Sequence, residues 1–357
     1  MDIYVFDVNF NQVGVLDNYK SCIWTTKIFI NGDFELYLPA TSEALGLLRE
    51  NYYLVREQDI TKDALKNVMI IESIKITTSI DEGDHVIVSG RCLKSLLGRR
   101  IIIHQTIITG QLKDCIRELI NENIIEPDDS DRKINNFVIT EFPTLINMTD
   151  SVNFQNIGDS LLTVIESLTN SYGVGWDIYV NANKEFTFDL FKTYDRSSRQ
   201  FDNAIVVFSS EFDNLLNSEY SKDASVYKNV AVVAGEGEGN KRKKYQTGTA
   251  RGLDRYEVFV DARDISTNEG EISLAEYNSM LNEKGVETLN EYAVTEAFEG
   301  EADTTRNFVL NKDFYLGDVV EIVNDYGISS VVRVTEIIET VDDTGNTIIP
   351  TFSSEVV

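Results

Sequence analysis

Residues 21–39, SCIWTTKIFINGDFELYLP, read as two β-strands around a turn. β-branched and aromatic residues fill both flanks, and Pro39 closes the second. Between them Asn31-Gly32-Asp33 carries the Asn-Gly pair that supplies positive φ in tight hairpins, so a hairpin is expected here. The same rhythm extends outward. MDIYVFDV (1–8) and QVGVLDNY (12–19) flank a turn at Asn9, Phe10 and Asn11. NYYLVREQD (51–59), NVMIIESIKITTS (67–79) and DHVIVSGRC (84–92) follow, with turn chemistry at Asp81-Glu82-Gly83-Asp84. Six or seven strands in the first hundred residues predict a small barrel or sandwich over 1–108.

From about residue 109 the apolar period lengthens. A helix is expected around 111–122, with Leu112, Cys115, Ile116, Leu119 and Ile120 at helical spacing. A second is expected over 158–172, with Leu161, Ile165, Leu168 and Tyr172 on one face and Gly173 as its stop. With short strands at 175–180 and 185–191, the stretch 109–200 reads as α+β. Strand patterns return at 203–209, 218–223, 227–235, 241–248 and 255–262. They are interrupted by SLAEYNSMLNEKGVETLNEYAVTEAFEG (273–300), which Ser273 and Glu276 open as a capping box, and they resume from 305 to the last residue. The last two of those strands join through Asp342-Asp343-Thr344-Gly345. The expected organisation is a first β unit (1–108), an α+β unit (109–200), a second β unit (201–265 with 305–357) and a helical insertion (266–304).

The 357 residues carry 32 basic and 59 acidic side chains, a formal net charge of −27. That balance argues against a partner gripped through phosphates and against anionic lipid surfaces. No apolar run reaches the ~18–20 residues of a membrane-spanning helix. Cys22, Cys92 and Cys115 are odd in number and widely spaced, so no disulfide framework is expected. The opening MDIYVFDVNF shows no basic segment followed by an apolar one, and no secretory signal is read there.

Candidate chemistry is thin. Only His85 and His104 are available to activate a nucleophile, and Cys92 opens CLKSLLG, where a helix dipole lowers a thiol pKa; His85 lies seven residues back along the same strand. There is no Gly-x-Ser-x-Gly elbow, no His-Glu-x-x-His and no cysteine pair at ligand spacing. Asp7-x-Asn9-x-Asn11 starts like a calcium loop but continues with Gln12 and reaches Asn18 where a bidentate glutamate is required. Asp128-Asp129-Ser130-Asp131 reads as a solvated connection. No catalytic residue, metal or cofactor is expected. The Gly235-Glu236-Gly237-Glu238-Gly239 run precedes Lys241, Arg242, Lys243 and Lys244, which suggests a long hairpin tip able to dock on a neighbouring subunit. Its glutamates argue against phosphate binding.

Several segments in order resemble the siphovirus ReqiPepy6 Gp37-like family of phage tail proteins. They are Trp24; Gly32-Asp33-Phe34-Glu35-Leu36 with Leu38-Pro39; Ser89-Gly90-Arg91 with Leu96-Leu97 and Arg99; Gly175-Trp176; Tyr227-Lys228-Asn229 with Ala234-Gly235; Arg255 to Asp261; and Leu316-Gly317-Asp318 with Val320. The resemblance implies a β-rich α+β fold with two tail-tube-like antiparallel β-barrel domains and α+β inserts, in a hub-type architecture. It implies a homotrimer forming a pseudo-hexameric ring at the distal end of the tail, assembled in the host cytoplasm. Such a ring joins the tail tube or distal tail protein to the tip, with the tape measure protein and DNA passing through. A receptor-binding or lytic tip protein is expected below it, because the sequence closes on what reads as a last barrel strand. Two alternatives stand beside this reading. One is a carboxylate-dependent cell-wall glycosidase, whose signal in a chain with 59 acids is weak. The other is a carbohydrate-binding tip protein using Trp24 or Trp176, whose apolar strand contexts favour core packing.

Overall fold

The computed structural model describes residues 1–81, 83–142, 151–267, 270–302, 307–343 and 345–354. Glu82 and Thr344 in two expected turns, and both ends of the 266–304 insertion in part, lie outside them. The chain begins with β1 (Ile3–Phe6), β2 (Gln12–Leu16), β3 (Ser21–Lys27), β4 (Asp33–Pro39), α1 (Ser42–Leu47), β5 (Tyr53–Arg56), β6 (Ala64–Leu65), β7 (Met69–Thr77) and β8 (His85–Cys92). A 3₁₀ segment, Leu93–Arg99, leads to β9 (Thr106–Gln111), α2 (Leu112–Ile120), β10 (Phe137–Ile139), β11 (Ser151–Asn156), α3 (Leu161–Ser171), β12 (Gly175–Asn181) and β13 (Phe186–Phe191). Then come β14 (Val207–Ser209), β15 (Leu215–Asp223), β16 (Val230–Ala234), β17 (Lys244–Thr247), β18 (Glu257–Asp261) and α4 (Leu274–Glu291). The last strands are β19 (Thr295–Ala302), β20 (Val319–Val323), β21 (Ser329–Asp342) and β22 (Gly345–Ser354).

The fold is β-rich α+β, organised on one large sheet. Its strands run β15-β19-β22-β21-β3-β4-β8-β7-β5-β1-β2, with β20 and β14 branching from β21. From β15 to β7 every neighbour pair is antiparallel, and the joint between the N-terminal and C-terminal strands is β3 on β21. In the N-terminal part, one core takes Val5, Leu16, Trp24, Leu36, Leu54, Ile71 and Val88 from all seven strands of that end, so the sheet curls around its own side chains. The other face of β5, with Tyr53 and Val55, packs against α2, α3, β12 and β13 in the largest core. Burial on both faces explains why β5 has no polar alternation. A third core lies under β14, β20, β21 and β22. Strands β16, β17 and β18 pair with one another, and β16 and β18 share a separate core with α4.

Local sequence signals explain most elements and misplace two. α2 and α3 sit inside their expected spans, and Gly173 follows α3 at φ +63°. α4 has the reciprocal Ser273–Glu276 capping box, but it ends at Glu291, and 295–302 is strand rather than helix because both its edges find partners in β15 and β22. The 21–39 hairpin forms without a tight turn: five residues connect Lys27 to Asp33, and neither Asn31 nor Gly32 has positive φ. Gly32 is needed for space instead, since a Cβ there falls 2.1 Å from the Thr25 carbonyl oxygen. The loop is held by Lys94, whose Nζ donates to the carbonyls of Lys27 (2.8 Å) and Ile28 (2.9 Å).

Gly90 in β8 is constrained in the same way. The β7–β8 ladder slips between Ile71 and Ser73, and a Cβ on Gly90 falls 1.8 Å from the Ile70 carbonyl oxygen. Gly90→Ala is expected to lower stability by about 1–3 kcal/mol or more, as overpacking against rigid backbone does. Gly46→Ala, with open space around it in α1, is expected to be neutral or stabilising by up to ~1 kcal/mol. Urea unfolding of the two variants checks the contrast, and equal losses would contradict it.

Candidate functional site

Of the residues that carry the family resemblance, Trp24, Gly32 to Leu36 and Ser89-Gly90-Arg91 meet at the joint in the large sheet, whereas Gly175-Trp176 lies on β12 and the 227–235 and 255–261 segments on the separate β16–β17–β18 sheet. Trp24 lies across from Phe34 on one side and Glu339 on the other; Phe34 in turn lies across from Gly90, and Asp33 from Arg91. Trp24 is fully buried, and its ring centre is 5.7 Å from that of Phe34. Leu36 and Leu38 continue the covered face, Glu35 is exposed on the other, and Pro39 ends β4 opposite His85. Arg91 Nε and Nη2 both donate to Glu72, each at 2.8 Å.

Behind Trp24 sits a charge cluster that the sequence does not reveal. Arg56 is 2% exposed, 5.1 Å from the Trp24 ring centre. Its Nε donates to Asp59 Oδ2 and its Nη1 to Glu339 Oε1, each at 2.6 Å. Asn67 Nδ2 takes the second Asp59 oxygen at 2.6 Å and Gln58 Nε2 the second Glu339 oxygen at 3.2 Å. Burial opposes the Arg56 charge, but Asp59 and Glu339 outweigh it and hold the guanidinium above its ordinary pKa. Burial pushes the Asp59 carboxyl up despite the pull of Arg56.

Two further knots tie the units together. Gly317, at φ +95°, fits against Thr193 and Ile28 where any side chain collides. Next to it Asp318 is 1% exposed and accepts from Tyr194 N (2.9 Å), Tyr315 N (3.1 Å) and Arg196 Nε (2.6 Å). Lys94 lies 4.6 Å from the centre of the Trp176 ring, and Trp176 Nε1 donates to the Phe29 carbonyl at 2.7 Å. Burial pushes Lys94 below its ordinary pKa, with Asp177 acting against it. These groups border a cavity of ≈ 350 Å³ between β3, β12 and the 311–318 segment.

The Gly235–Lys244 segment is more tied down than its composition suggests. Gly235 is buried, with its N–H on the Lys243 carbonyl at 3.0 Å. Arg242 folds back onto the Gly235 carbonyl (2.9 Å), the Ala234 carbonyl and Asp261 (2.6 Å). Lys241, Lys243 and Lys244 remain exposed, Lys243 reaching Glu236 at 3.4 Å.

The residues considered for chemistry do not assemble. His85 and Cys92 stand at opposite ends of β8, and burial raises the Cys92 thiol rather than the dipole lowering it; its Sγ accepts from Gly32 N at 3.2 Å. His104 is 3.8 Å from Asp128. Asp7 Oδ1 is occupied by the N–H groups of Asn9 and Asn11, a turn-capping arrangement. Among the described residues no group of three or more His, Cys, Asp or Glu is placed to hold a metal. Trp24 and Trp176 are both fully buried, which removes the residues the carbohydrate-binding reading relies on.

A family model described as Siphovirus ReqiPepy6 Gp37-like protein matches residues 2–352. No curated protein sequence matches the chain. Three solved structures share the fold over nearly their whole length. A tail protein from Neisseria meningitidis MC58 is 13% identical with a TM-score of 0.58, covering 99% of this chain and 96% of that one. Prophage tail protein gp18 from Listeria monocytogenes EGD-e is 14% identical, TM-score 0.56, covering 99% and 95%. The 43 kDa tail protein of prophage MuSo2 from Shewanella oneidensis is 9% identical, TM-score 0.58, covering 99% and 98%.

Removing Asp59 leaves the buried Arg56 guanidinium with Glu339 as its remaining carboxylate. Asp59→Ala is therefore expected to cost about 1.5–3 kcal/mol, against under about 1 kcal/mol for Glu72→Ala at the exposed Arg91 pair, measured by denaturant unfolding. Burial pushes the Cys22 thiol up to about 12 and the Cys115 thiol to about 11. At pH 8 both are expected to resist thiol reagents until the chain is unfolded. Because the unfolded thiols ionise from about pH 8.5 while the folded ones stay protonated, the unfolded state loses protons first and stability falls as pH rises above that point. A thiol in the folded protein that reacts faster than free cysteine would contradict this account.

Proposed function

The chain belongs to the Siphovirus ReqiPepy6 Gp37-like family, and from that premise we propose that it is the hub of a phage or prophage tail, a structural and non-enzymatic virion protein. In this reading three copies form a pseudo-hexameric ring at the distal end of the tail. The ring joins the tail tube or distal tail ring to the tip, and lets the tape measure protein and DNA pass.

The observation that carries the reading is the run of eight antiparallel strands from β15 to β7. Four come from the C-terminal end of the chain and four from the N-terminal end, meeting at β21 and β3. Two four-strand contributions per copy give three copies the six repeats a six-fold tube presents. One face of the run is covered by cores, which curl the N-terminal strands toward a barrel. The other face is uncovered over most of its length, as the exposure of Ile23, Glu35, Lys75, Arg91, Glu219 and Asp342 indicates.

We place this face on the lumen. By strand register it carries Asp33, Glu35, Glu219, Asp223, Glu336 and Asp342 against Lys27, Lys75, Arg91 and Arg333, and Lys27 is itself bridged to Asp33 and Glu336. A wall of net negative sign repels phosphates over a Debye length of about 8–10 Å and so passes DNA without holding it. The proposed division into tube-like units 1–108 and 201–265 with 305–357, an α+β unit 109–200 and an insertion 266–304 belongs to the same reading. The joint packing of β16, β18 and α4 favours drawing the insertion wider, from about residue 224.

Light scattering after size exclusion across a concentration series, with negative-stain images of the same fractions, tests the proposal. The expected result is a species of three times the mass of one chain whose particles show a central hole. A monomer at every concentration, with no rings in the images, would contradict it.

A further inference from the structure

A second cavity of ≈ 350 Å³, apart from the one beside Trp176, lies between β11, α3 and α4. Val152 to Asn156 all line it although side chains alternate along a strand, so β11 meets the cavity edge-on. Its opposite edge is paired with β9, and among the described residues no strand pairs with the edge turned to the cavity. Two amides in this edge lack a partner. Gln155, 6% exposed, spends its Oε1 on the Ser266 N–H (3.3 Å) and leaves Nε2 without an acceptor. Asn156, 7% exposed, donates Nδ2 to Asp159 Oδ2 (2.7 Å) and leaves Oδ1 without a donor. Buried amide groups are nearly always paired, so a free donor and a free acceptor in the wall of one cavity call for an occupant that serves both.

The rest of the wall selects that occupant. Asp159, Asp264, Glu283 and Glu287 border the cavity with a single cation, Lys284, which donates to Glu287 Oε2 at 2.8 Å. Burial opposes the Lys284 charge, but Glu287, with Asp264 and Asp159 behind it, outweighs the loss of water and holds the ammonium above its ordinary pKa. This balance repels anions. An ammonium ligand carries donors alone and leaves Gln155 Nε2 unpaired, whereas a hydroxyl both donates and accepts. Val164 and Leu168 of α3 and Met280 of α4 add apolar surface for a carbon skeleton, and the volume is that of a small-molecule site.

From these features we infer that the cavity binds a small uncharged polyhydroxy compound, a sugar or polyol, with one hydroxyl accepting from Gln155 Nε2 and another donating to Asn156 Oδ1. The terminal torsion of an amide side chain is soft, so each amide can turn toward the occupant while the strand stays in place. The surrounding frame is already set. Asn153 Nδ2 donates to Ser279 Oγ at 3.0 Å and Ser167 Oγ to Glu287 Oε1 at 2.6 Å, tying β11 and α3 to α4. The site uses neither Trp24 nor Trp176 and is independent of the ring reading above.

Saturation-transfer NMR and titration calorimetry on the full chain test the site, with glucose, galactose, N-acetylglucosamine, sorbitol and the methyl glycosides of the three sugars as probes. Inorganic phosphate, putrescine and N-acetylalanine methylamide serve as the anionic, cationic and peptide-like comparisons. The expected result is saturable binding of at least one polyhydroxy probe, one per chain. A methyl glycoside binding as well as its free sugar would support the site as one for the end of a glycan, and exclusion of the glycosides would support it as one for a free sugar or polyol. Gln155→Glu keeps the acceptor for Ser266 and the size of the side chain but removes the free donor, and it is expected to weaken binding at least about tenfold. Val286→Trp, at a rim position that is 41% exposed, obstructs the cavity without disturbing the core and is expected to abolish binding even if the first variant fails to fold. No saturable binding of any polyhydroxy probe up to about 10 mM would overturn the inference. So would binding that both variants leave unchanged, or binding of phosphate, putrescine or the peptide amide in place of the polyhydroxy probes.

Discussion

Burying the Arg56 guanidinium is the constraint on which the rest of the structure depends. A buried cation must be paired, and the carboxylates that pair it come from two places: Asp59, three residues on, and Glu339, 283 residues away. Glu339 reaches Arg56 because it sits opposite Trp24 in the β3–β21 ladder, on the covered face of the sheet. A slip of that ladder by one residue turns Glu339 to the other face and leaves Arg56 with one partner. The ion pair thus registers seven residue pairs, from Ser21 opposite Asp342 to Lys27 opposite Glu336. Register in turn decides which residues share the uncovered face.

Around that joint the molecule uses backbone contact where the sheet leaves no space for a side chain. Gly32 and Gly90 flank the Asp33–Phe34 segment, and each presses against a carbonyl of the neighbouring strand. The covered faces then fill with Trp24, Phe34 and Leu36 on one side and Phe208, Phe314 and Phe352 on the other. Lys94 and Asp318 perform the equivalent task for loops, Lys94 binding the distant carbonyls of Lys27 and Ile28 and Asp318 the N–H groups of distant Tyr194 and nearby Tyr315. The outcome is a scaffold with its polar investment spent on joining units. Among the described residues the two histidines lie apart and the three thiols are buried or half-buried.

Local features were legible in the sequence. The capping box of α4, the stop at Gly173 and the strand rhythm of the first hundred residues each depend on neighbours within a few positions. The glycines at 32 and 90 stood out, but Gly32 for the wrong reason: its need is set by the Thr25 carbonyl across the ladder, which no turn rule contains. The expected helical segment 273–300 overruns the end of α4 because the glutamates at 296 and 299 suit a helix as well as a strand, and only pairing with β15 and β22 decides between them. Arg56, Asp59, Glu339 and Lys94 escaped notice entirely. In sequence they are ordinary charged residues near strands, and their roles exist only once β21 lies against β3.

If the β3–β21 joint holds the two ends of the chain in one cooperative sheet, its amides open only when the protein unfolds globally. Native-state hydrogen exchange read by mass spectrometry measures this directly. The account predicts that peptides covering 21–27 and 336–342 are among the slowest to exchange, with matching opening free energies equal to that of global unfolding. Exchange of either peptide through a lower-energy opening, or separate unfolding of the N-terminal and C-terminal sheets, would contradict it.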